Sequence, residues 1–234
     1  GFMQETLLGY RALAPKAGFF LASPDGTVDS NNKRFWNATD ACCDFGGTGV
    51  DDVAYLTGLI DAIGSVYSID PDRVYLVGHS NGGFMAYRMA CERASRLAAV
   101  ISLAGATYDD TTMCKPDARV SVVQIHGDQD GSVKYTGGTI GHGASPAAYP
   151  GAVKTTSAWA GYNGCGATRQ VVPPSLDLDS LVAGAETVVE RFDGCPAGVD
   201  VELWTIQGGA HLPIPTEAFA TRTWAFFKAH PRVP

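Results

Sequence analysis

The sequence LVGHSNGG at residues 76–83 places a serine, Ser80, between a run of apolar residues and an apolar helix pattern. The pentapeptide from Gly78 to Gly82 fits Gly-x-Ser-x-Gly, in which small flanking residues permit a strained turn that lifts the hydroxyl clear of a sheet. Such a serine can attack a carbonyl carbon, and the backbone N–H of Asn81 at the helix start can hold the resulting oxyanion. The alternative interpretation is a glycine-rich turn in which Ser80 only caps the helix.

A nucleophilic serine needs a base to take its proton, and the base needs a third group to orient it. Of the five histidines, His211 follows the last apolar strand pattern, and the glycines of "QGGA" let its loop reach back over the sheet. We therefore predict that His211 is the base. We expect His142 and His230 on the surface, His79 turned away from the serine, and His126 shaping its own loop.

The acid that orients the base is expected in "QIHGDQDGSV", after the penultimate strand pattern. Asp128 and Asp130 both lie there, and either carboxylate could hold an imidazole. The chain order serine, aspartate, histidine is that of α/β-hydrolases and differs from the orders of the chymotrypsin and subtilisin types.

These residues need a scaffold, and the sequence alternates between helix and strand patterns throughout. Apolar runs at 18–24, 73–79, 97–105, 119–127 and 199–207 predict strands, and amphipathic patterns at 3–17, 50–67, 82–94 and 215–229 predict helices. Continuous apolar strands separated by helices indicate a mostly parallel sheet with helices on both faces. In such sheets ligands bind at the carboxyl ends of the strands.

Composition limits the possible partners. The 234 residues are 45% hydrophobic and carry a net charge of −7, which is consistent with one globular domain over residues 1–234. No cluster of lysine and arginine is present to neutralise phosphates, which argues against a nucleic acid partner. No apolar run approaches the roughly 20 residues of a membrane span, so a membrane partner is not expected.

Six cysteines, an even number, favour an oxidising compartment. The segments "NGCG" and "DGCP" flank an insertion before the last strand, which predicts a Cys165–Cys195 disulfide, and Cys91 at the end of a helix is predicted to bond Cys114 after the next strand. Cys42 and Cys43 remain, with Cα atoms about 3.8 Å apart across a trans peptide. They could form a strained vicinal disulfide, stay as two thiols, or bond a cysteine outside the chain.

No metal site is expected from the sequence. The adjacent Cys42 and Cys43 lack the Cys-x-x-Cys spacing, and no His-Glu-x-x-His occurs.

Six stretches together resemble the polyhydroxybutyrate depolymerase and feruloyl esterase family of secreted α/β-hydrolases. They are "SPDGTVDSNNKRFWNATDACCD", "DDVAYLTGLID", "IDPDRVYLVGHSNGGFMAYRMAC", "IHGDQDGSVKY", "WAGYNGC" and "GGAHLPIP". The resemblance implies the α/β-hydrolase fold, secretion to the extracellular space or periplasm, and ester hydrolysis through an acyl-enzyme without metal or organic cofactor. The family patterns His-Gly-x-x-Asp-x-x-Val and Gly-Gly-x-His select Asp130 and His211. Here "GGAHLPIP" lacks the usual tryptophan, so one aromatic wall near the base is expected to be absent.

The resemblance leaves the substrate open between a hydroxyalkanoate polyester or oligomer and a feruloyl or acetyl ester of plant polysaccharide. Trp36, Tyr135 and Trp159 are candidates for stacking on such an ester substrate, or for filling the cores of their loops. An aromatic polyester hydrolase or a peptidase could use the same triad, and a non-catalytic binding protein could use the same scaffold.

The α/β-hydrolase topology also implies a further strand between those predicted at 18–24 and 73–79, followed by a loop that supplies the second oxyanion donor. No stretch after Gly1 matches either feature. We therefore expect both to lie upstream of Gly1 in a longer polypeptide.

Overall fold

The structure, a computed structural model, describes residues 5, 7–141 and 146–233. Its helices are α1 (Tyr10–Ala17), α2 (Asp52–Val66), α3 (Asn81–Glu92), α4 (Ala152–Asn163) and α5 (Glu217–Ala229). Its strands are β1 (Thr27–Val28), β2 (Arg34–Phe35), β3 (Tyr75–His79), β4 (Ala99–Leu103), β5 (Ser121–Gly127), β6 (Gly137–Thr139), β7 (Ala148–Pro150), β8 (Arg169–Val171), β9 (Thr187–Phe192) and β10 (Val201–Ile206).

The central sheet has the strand order β3-β4-β5-β10-β9-β8. Strands β3, β4, β5 and β10 run parallel, and β9 and β8 add an antiparallel edge. The mostly parallel sheet predicted from the apolar runs is therefore confirmed. The register pairs His79 with Leu103, Leu103 with Ile125, and Ile206 with Gly127, so the carboxyl ends of the parallel strands meet along one edge.

Helices cover both faces of this sheet, as the alternating pattern predicts. One hydrophobic cluster joins α2, α3 and α4 to the sheet through side chains such as Leu56, Phe84 and Trp159. A second cluster joins α1 and α5 to the opposite face through Tyr10 and Phe219. Every residue of β4 and β5 is buried, because both of their faces lie under helices.

The strand predicted at 18–24 is wrong. These residues form no strand, and strand β3 is an edge of the sheet, with no strand paired to its other side among the described residues. The aromatic residues of the segment pack on helices instead: the Phe19 ring lies 4.2 Å from that of Trp224 in α5, and the Phe20 ring lies 4.8 Å from that of Tyr67. The apolar run is explained by these ring contacts rather than by a place in the sheet.

The structure contains disulfides Cys91–Cys114 and Cys165–Cys195, the two pairings that the sequence predicts. Cys42 and Cys43 form a vicinal disulfide across a cis peptide bond, with their Cα atoms 3.0 Å apart. The trans peptide assumed for this pair in the sequence analysis is therefore wrong. None of the cysteines is a free thiol among the described residues.

Removal of the Cys91–Cys114 disulfide is expected to lower the free energy of unfolding by about 3 kcal/mol, because the bond closes a loop in the unfolded chain. Its two cysteines are 23 positions apart and both are buried, so Cys91→Ala with Cys114→Ala is the least disruptive variant. Urea denaturation of the two proteins measures the change. Peptide mapping without reduction checks the pairing itself, and a Cys91–Cys165 peptide would contradict it.

Candidate active site

Ser80 lies on a sharp turn between strand β3 and helix α3. Its φ is +54°, a conformation rare for a residue with a side chain, and its N–H donates to Leu103 O at 2.8 Å at the end of the neighbouring strand. The turn requires glycine at position 78, since a Cβ there would overlap the carbonyl oxygen of Gly82. The Gly-x-Ser-x-Gly sequence therefore forms a strained strand-to-helix turn.

Two further loops meet Ser80 at the same edge of the sheet, one after β5 and one after β10. The N–H of Gln129 in the first loop donates to Gly209 O in the second at 3.0 Å, and the N–H of Gly208 donates to Asp128 Oδ1 at 2.8 Å. A Cβ on Gly127 would overlap the Gly209 carbonyl, so the loops approach as closely as their backbones permit. The relative position of the two loops is thereby fixed.

His211 connects the turn to the loop after β5. Its Nε2 lies 3.0 Å from Ser80 Oγ, and its Nδ1 lies 2.7 Å from Asp130 Oδ2. The structure thus brings Ser80, His211 and Asp130 into one hydrogen-bonded chain. Asp128, the other carboxylate considered in the sequence analysis, contacts Gly208 and Gln129 instead.

The carboxylate of Asp130 is inaccessible to solvent and is surrounded by N–H groups. Its Oδ1 accepts from Ser132 N at 2.8 Å and from Val133 N at 2.9 Å. Burial, the largest single influence, opposes ionisation, but the hydrogen bonds from His126, His211 and Ser132 outweigh it and hold the pKa of Asp130 well below its usual value. Asp130 is therefore an anion beside the His211 ring.

Asn81 begins helix α3, so its backbone N–H is in the first turn, where helix donors have no intrahelical partner. Its side chain binds the loop before α2: Oδ1 accepts from Trp36 N at 2.7 Å, and Nδ2 donates to Trp36 O at 3.0 Å. The Trp36 ring in turn stacks on the half-exposed Tyr55 ring, with 6.2 Å between centroids. The carboxamide thus fixes the backbone that carries an aromatic pair.

The other two aromatic candidates for substrate stacking have different positions. Trp159 is fully buried in α4 against Tyr87, so its predicted role in substrate binding is wrong; the apolar face of the helix buries it against the sheet. Tyr135 is half-buried, donates to or accepts from Thr205 Oγ1 at 2.8 Å, and helps line a surface cavity of about 240 Å³ that includes Asp130.

His79, expected to be turned away from Ser80, contacts the loop that carries His211. Its Nε2 lies 2.8 Å from the His211 carbonyl oxygen, and the two rings are 4.9 Å apart. Burial, the main influence, lowers the pKa of His79, so the ring is neutral and donates through Nε2–H. The only feature of the sequence that could have indicated this contact is the position of His79 directly before Ser80.

The remaining histidines differ in their surroundings. His126 is a buried residue of β5, and its Nε2 lies 2.7 Å from Val133 O in the loop after the strand, a contact that agrees with the prediction that it shapes this loop. His230, predicted on the surface, is buried with Nε2 3.0 Å from Asp200 Oδ2, because the chain after α5 folds back on the domain. His142 lies outside the described residues.

Within the described ranges no group of three or more histidine, cysteine, aspartate or glutamate side chains could hold a metal ion. None of the described helices has both the length and the apolar character needed to cross a membrane.

Comparison with known proteins gives the context of this geometry. A sequence model of the family described as "Esterase PHB depolymerase" matches residues 2–148, which include Ser80 and Asp130. Feruloyl esterase B of Piromyces equi is 31% identical over 220 residues, 90% of this chain and 36% of that protein. Putative esterase NocK of Nocardia uniformis is 27% identical over 207 residues, 87% of this chain and 59% of that protein. The chain thus spans between 36% and 59% of the length of these two relatives.

A solved structure shares the fold. The acetyl xylan esterase from Aspergillus awamori superposes with a TM-score of 0.58 at 17% sequence identity, over 93% of this chain and 81% of that one. At this identity the likeness concerns the fold alone, and together with the parallel sheet it confirms the predicted α/β-hydrolase fold.

Proposed function

The chain belongs to the esterase PHB depolymerase family, and on this basis we propose that it is a serine esterase that hydrolyses carboxylic esters through an acyl-enzyme on Ser80. The observation that carries the proposal is the hydrogen-bonded chain from Ser80 Oγ through His211 to Asp130 at the carboxyl edge of the sheet. This arrangement supplies a nucleophile, a base and a group that orients the base.

In the acylation step Ser80 Oγ attacks the ester carbonyl carbon while His211 Nε2 takes the hydroxyl proton. Asp130 accepts the Nδ1–H of His211, which directs the Nε2 lone pair toward Ser80 and stabilises the imidazolium that forms. The backbone N–H of Asn81 donates to the oxyanion of the tetrahedral intermediate. The intermediate then collapses: the bond from the carbonyl carbon to the leaving oxygen breaks, and His211 gives that oxygen its proton.

In the deacylation step a water molecule takes the place of the alcohol. His211 removes one proton from the water, the hydroxide oxygen bonds to the acyl carbon, and the bond from that carbon to Ser80 Oγ breaks. The proton then passes from His211 to Ser80 Oγ, which restores the hydroxyl and releases the carboxylic acid. In both steps the proton passes between His211 Nε2 and Ser80 Oγ, which lie within hydrogen-bond distance at 3.0 Å.

Among esters, we favour feruloyl or acetyl esters of plant polysaccharide over a hydroxyalkanoate polyester. Two relatives that support this are named feruloyl esterases, B of Piromyces equi and D of Neurospora crassa. The Trp36–Tyr55 pair offers an aromatic surface for a hydroxycinnamoyl group, since Asn81 holds the Trp36 backbone next to the nucleophile. Leu212 and Ile214, both exposed after the base, supply apolar surface where the family pattern has a tryptophan.

A panel of substrates tests the proposal and separates it from its alternatives. We expect turnover of p-nitrophenyl acetate and methyl ferulate, and release of acetate from acetylated xylan. A 3-hydroxybutyrate oligomer and an aromatic polyester test the polyester activities, and peptide anilides test peptidase activity. Hydrolysis of the anilides at rates above those for the esters would contradict the esterase assignment.

A fluorophosphonate probe distinguishes the enzyme from a non-catalytic binding protein on the same scaffold. The activated hydroxyl of Ser80 is expected to be labelled stoichiometrically, because the probe reacts with serines whose proton a neighbouring base removes. Mass spectrometry of the labelled peptide locates the adduct. Absence of label on folded protein would favour the binding-protein alternative.

We assign residues 1–234 to one catalytic domain and propose that it acts outside the cytosol. The domain assignment is supported by the two hydrophobic clusters, which flank a single sheet. The location is supported by three disulfides, a number typical of proteins from oxidising compartments.

Replacement of His79 by Ala is expected to lower kcat/KM about tenfold, the equivalent of one lost hydrogen bond to the loop that carries the base. His79→Gln is the matched control, since its amide N–H can reach the His211 carbonyl from nearly the same position as Nε2–H. Steady-state kinetics on p-nitrophenyl acetate measure both variants. Equal losses in the two would argue against an effect of this hydrogen bond.

A further inference from the structure

A line of buried polar side chains runs from the protein core to Asp130. Tyr87 in α3 donates its O–H to Gln124 Oε1 at 2.8 Å. The Nε2 of Gln124 donates to Gly105 O at 2.9 Å and lies 3.1 Å from His126 Nδ1. The side chains of Tyr87, Gln124 and His126 are essentially inaccessible to solvent, so each polar group depends on its protein partner.

These contacts fix the proton on His126. A carbonyl oxygen can only accept, so the Gln124 atom facing Gly105 O is the NH₂ group, and the same group donates its second hydrogen to His126 Nδ1. The Nδ1 atom therefore carries a lone pair. His126 is held as the neutral tautomer with its proton on Nε2.

The Nε2–H of His126 points into the site. It lies 2.7 Å from Val133 O and 3.2 Å from Asp130 Oδ2, both of which are acceptors. The same Oδ2 atom receives the Nδ1–H of His211 at 2.7 Å. The Nε2–H of His126 thus donates to Val133 O, while Asp130 Oδ2 receives one hydrogen bond, from His211, and one close polar contact, from His126.

We propose that His126, held as a donor by Gln124, is a positioning residue that orients Asp130 and limits the negative charge that Asp130 presents to His211. The proposal deepens the proposed function and, for its catalytic meaning, rests on it. It gives Gln124 and His126 a role beyond filling the core, because His126 contacts the carboxylate oxygen that holds the base.

Removal of the His126 N–H has two consequences for His211. Asp130 Oδ2 loses the polar contact with His126, and the loop loses the hydrogen bond at Val133 O, so Asp130 is less firmly oriented and the His211 ring spends less time in the productive geometry. The charge formerly shared with His126 becomes available to His211 and stabilises its imidazolium form. The first effect lowers turnover, and the second moves the titration of His211 to higher pH.

The other titratable groups around His126 are not expected to reproduce this shift. The Tyr135 ring lies 5.6 Å from the His126 ring, centroid to centroid. The other titratable groups that face His126 or Asp130 are His211, His79, Tyr149 and Tyr87. The tyrosines stay neutral across the range in which an imidazole titrates, because burial raises the pKa of each. His126 and Asp130 both act on the pKa of His79, so the His79 signal is assigned separately, from His79→Gln, and followed beside that of His211.

The test replaces His126 by Leu, which fills a similar volume in the core and removes the Nε2–H group. Histidine ¹³C NMR, with His211 assigned from His211→Gln, measures the titration of His211 directly. The midpoint is expected to rise by about one pH unit. In steady-state kinetics kcat is expected to fall about tenfold, the equivalent of the lost hydrogen bond that holds the loop carrying Asp130. The acidic limb of kcat/KM is expected to move to higher pH.

Two further variants separate positioning from a purely structural role. His126→Gln restores an N–H near the Nε2 position and is expected to return the midpoint to within about 0.3 units of wild type. Tyr87→Phe removes a buried hydrogen bond from the same line without touching Asp130, so it is expected to lower thermal stability and leave the midpoint unchanged. A midpoint unaltered in folded His126→Leu, or shifted equally in Tyr87→Phe, would overturn the proposal.

Failure of the proposed function gives a different result. The NMR titration requires no turnover, so a wild-type protein without esterase activity would refute the proposed function. A shifted midpoint in His126→Leu would still support the coupling between His126, Asp130 and His211. An active wild type with no shift would refute only the positioning role.

Discussion

Replacement of Ser80 by Ala is expected to reduce kcat for ester hydrolysis by about 10⁴-fold or more. The hydroxyl is the atom that bonds to the acyl carbon, and at 3.0 Å from His211 Nε2 it is the group that this base deprotonates. The remaining parts of the site, His211, Asp130 and the Asn81 N–H, can bind and polarise an ester but form no acyl-enzyme. Hydrolysis of p-nitrophenyl acetate measures the loss.

The Ser80→Ala variant is expected to keep the fold, which makes the loss of activity interpretable. The turn is held by backbone groups: Ser80 N donates to Leu103 O, and Ser80 O accepts from Gly83 N and Phe84 N. A residue with a Cβ can hold a positive φ at this edge of the sheet, since Ala104 at the end of the next strand has a φ of +53°. The midpoint of thermal unfolding is therefore expected to change by no more than a few degrees.

A matched control is Ser65→Ala on the exposed face of α2, where the hydroxyl bonds only Ala62 O of its own helix. Its activity is expected to equal that of the wild type. Activity of Ser80→Ala close to the wild-type value would exclude the acyl-enzyme mechanism. The same variant serves as the blank for the fluorophosphonate probe.

Several parts of the fold could be predicted from the sequence because their physical cause is local. Strands β4 and β5 are buried on both faces and therefore appear in the sequence as mostly apolar runs. The strained turn at Ser80 requires glycine at position 78, which leaves a visible motif. Asp130 and His211 follow strands directly, so their place at the carboxyl edge of the sheet follows from their place in the chain.

Other parts depend on contacts that no short stretch of sequence encodes. The run at 18–24 is apolar enough for a strand, but its rings pack on helices, and a contact such as Phe19 with Trp224 joins opposite ends of the chain. Strand β9 has buried and more exposed residues intermixed and lies at the antiparallel side of the sheet, so it lacks the apolar run of its neighbours. His79 and His126 each contact a backbone carbonyl oxygen of a distant loop, a partner that has no residue-type signature.

Replacement of Asp130 by Asn is expected to be almost as damaging as loss of the nucleophile, because the surroundings dictate which way the amide points. The Oδ1 position accepts from Ser132 N and Val133 N, so the amide oxygen must occupy it. The NH₂ group then takes the Oδ2 position and faces His211 Nδ1 and the N–H of His126.

An NH₂ group at this position forces His211 into the wrong tautomer. It can only donate to His211 Nδ1, so the ring proton moves to Nε2 and the base no longer has a lone pair for the Ser80 hydroxyl. We expect kcat to fall by about 10³- to 10⁴-fold, the effect of the wrong tautomer in a serine triad. The opposed N–H groups of residue 130 and His126 are also expected to lower the free energy of unfolding by about 1 to 3 kcal/mol.

Asp128→Asn is the matched control for Asp130→Asn, since the two aspartates lie two positions apart in the same loop. Asp128 is exposed and its Oδ1 accepts from Gly208 N and Gln129 Nε2, which an asparagine Oδ1 can also do. Its kcat is expected to stay within about threefold of wild type, because the amide replaces the carboxylate without leaving a buried group unpaired. Steady-state kinetics and urea denaturation on both variants measure the contrast. A large loss of kcat in Asp128→Asn, with Asp130→Asn unaffected, would reverse the assignment of the acid. Equal small losses of kcat in both variants would mean that His211 needs no buried anion to act as the base.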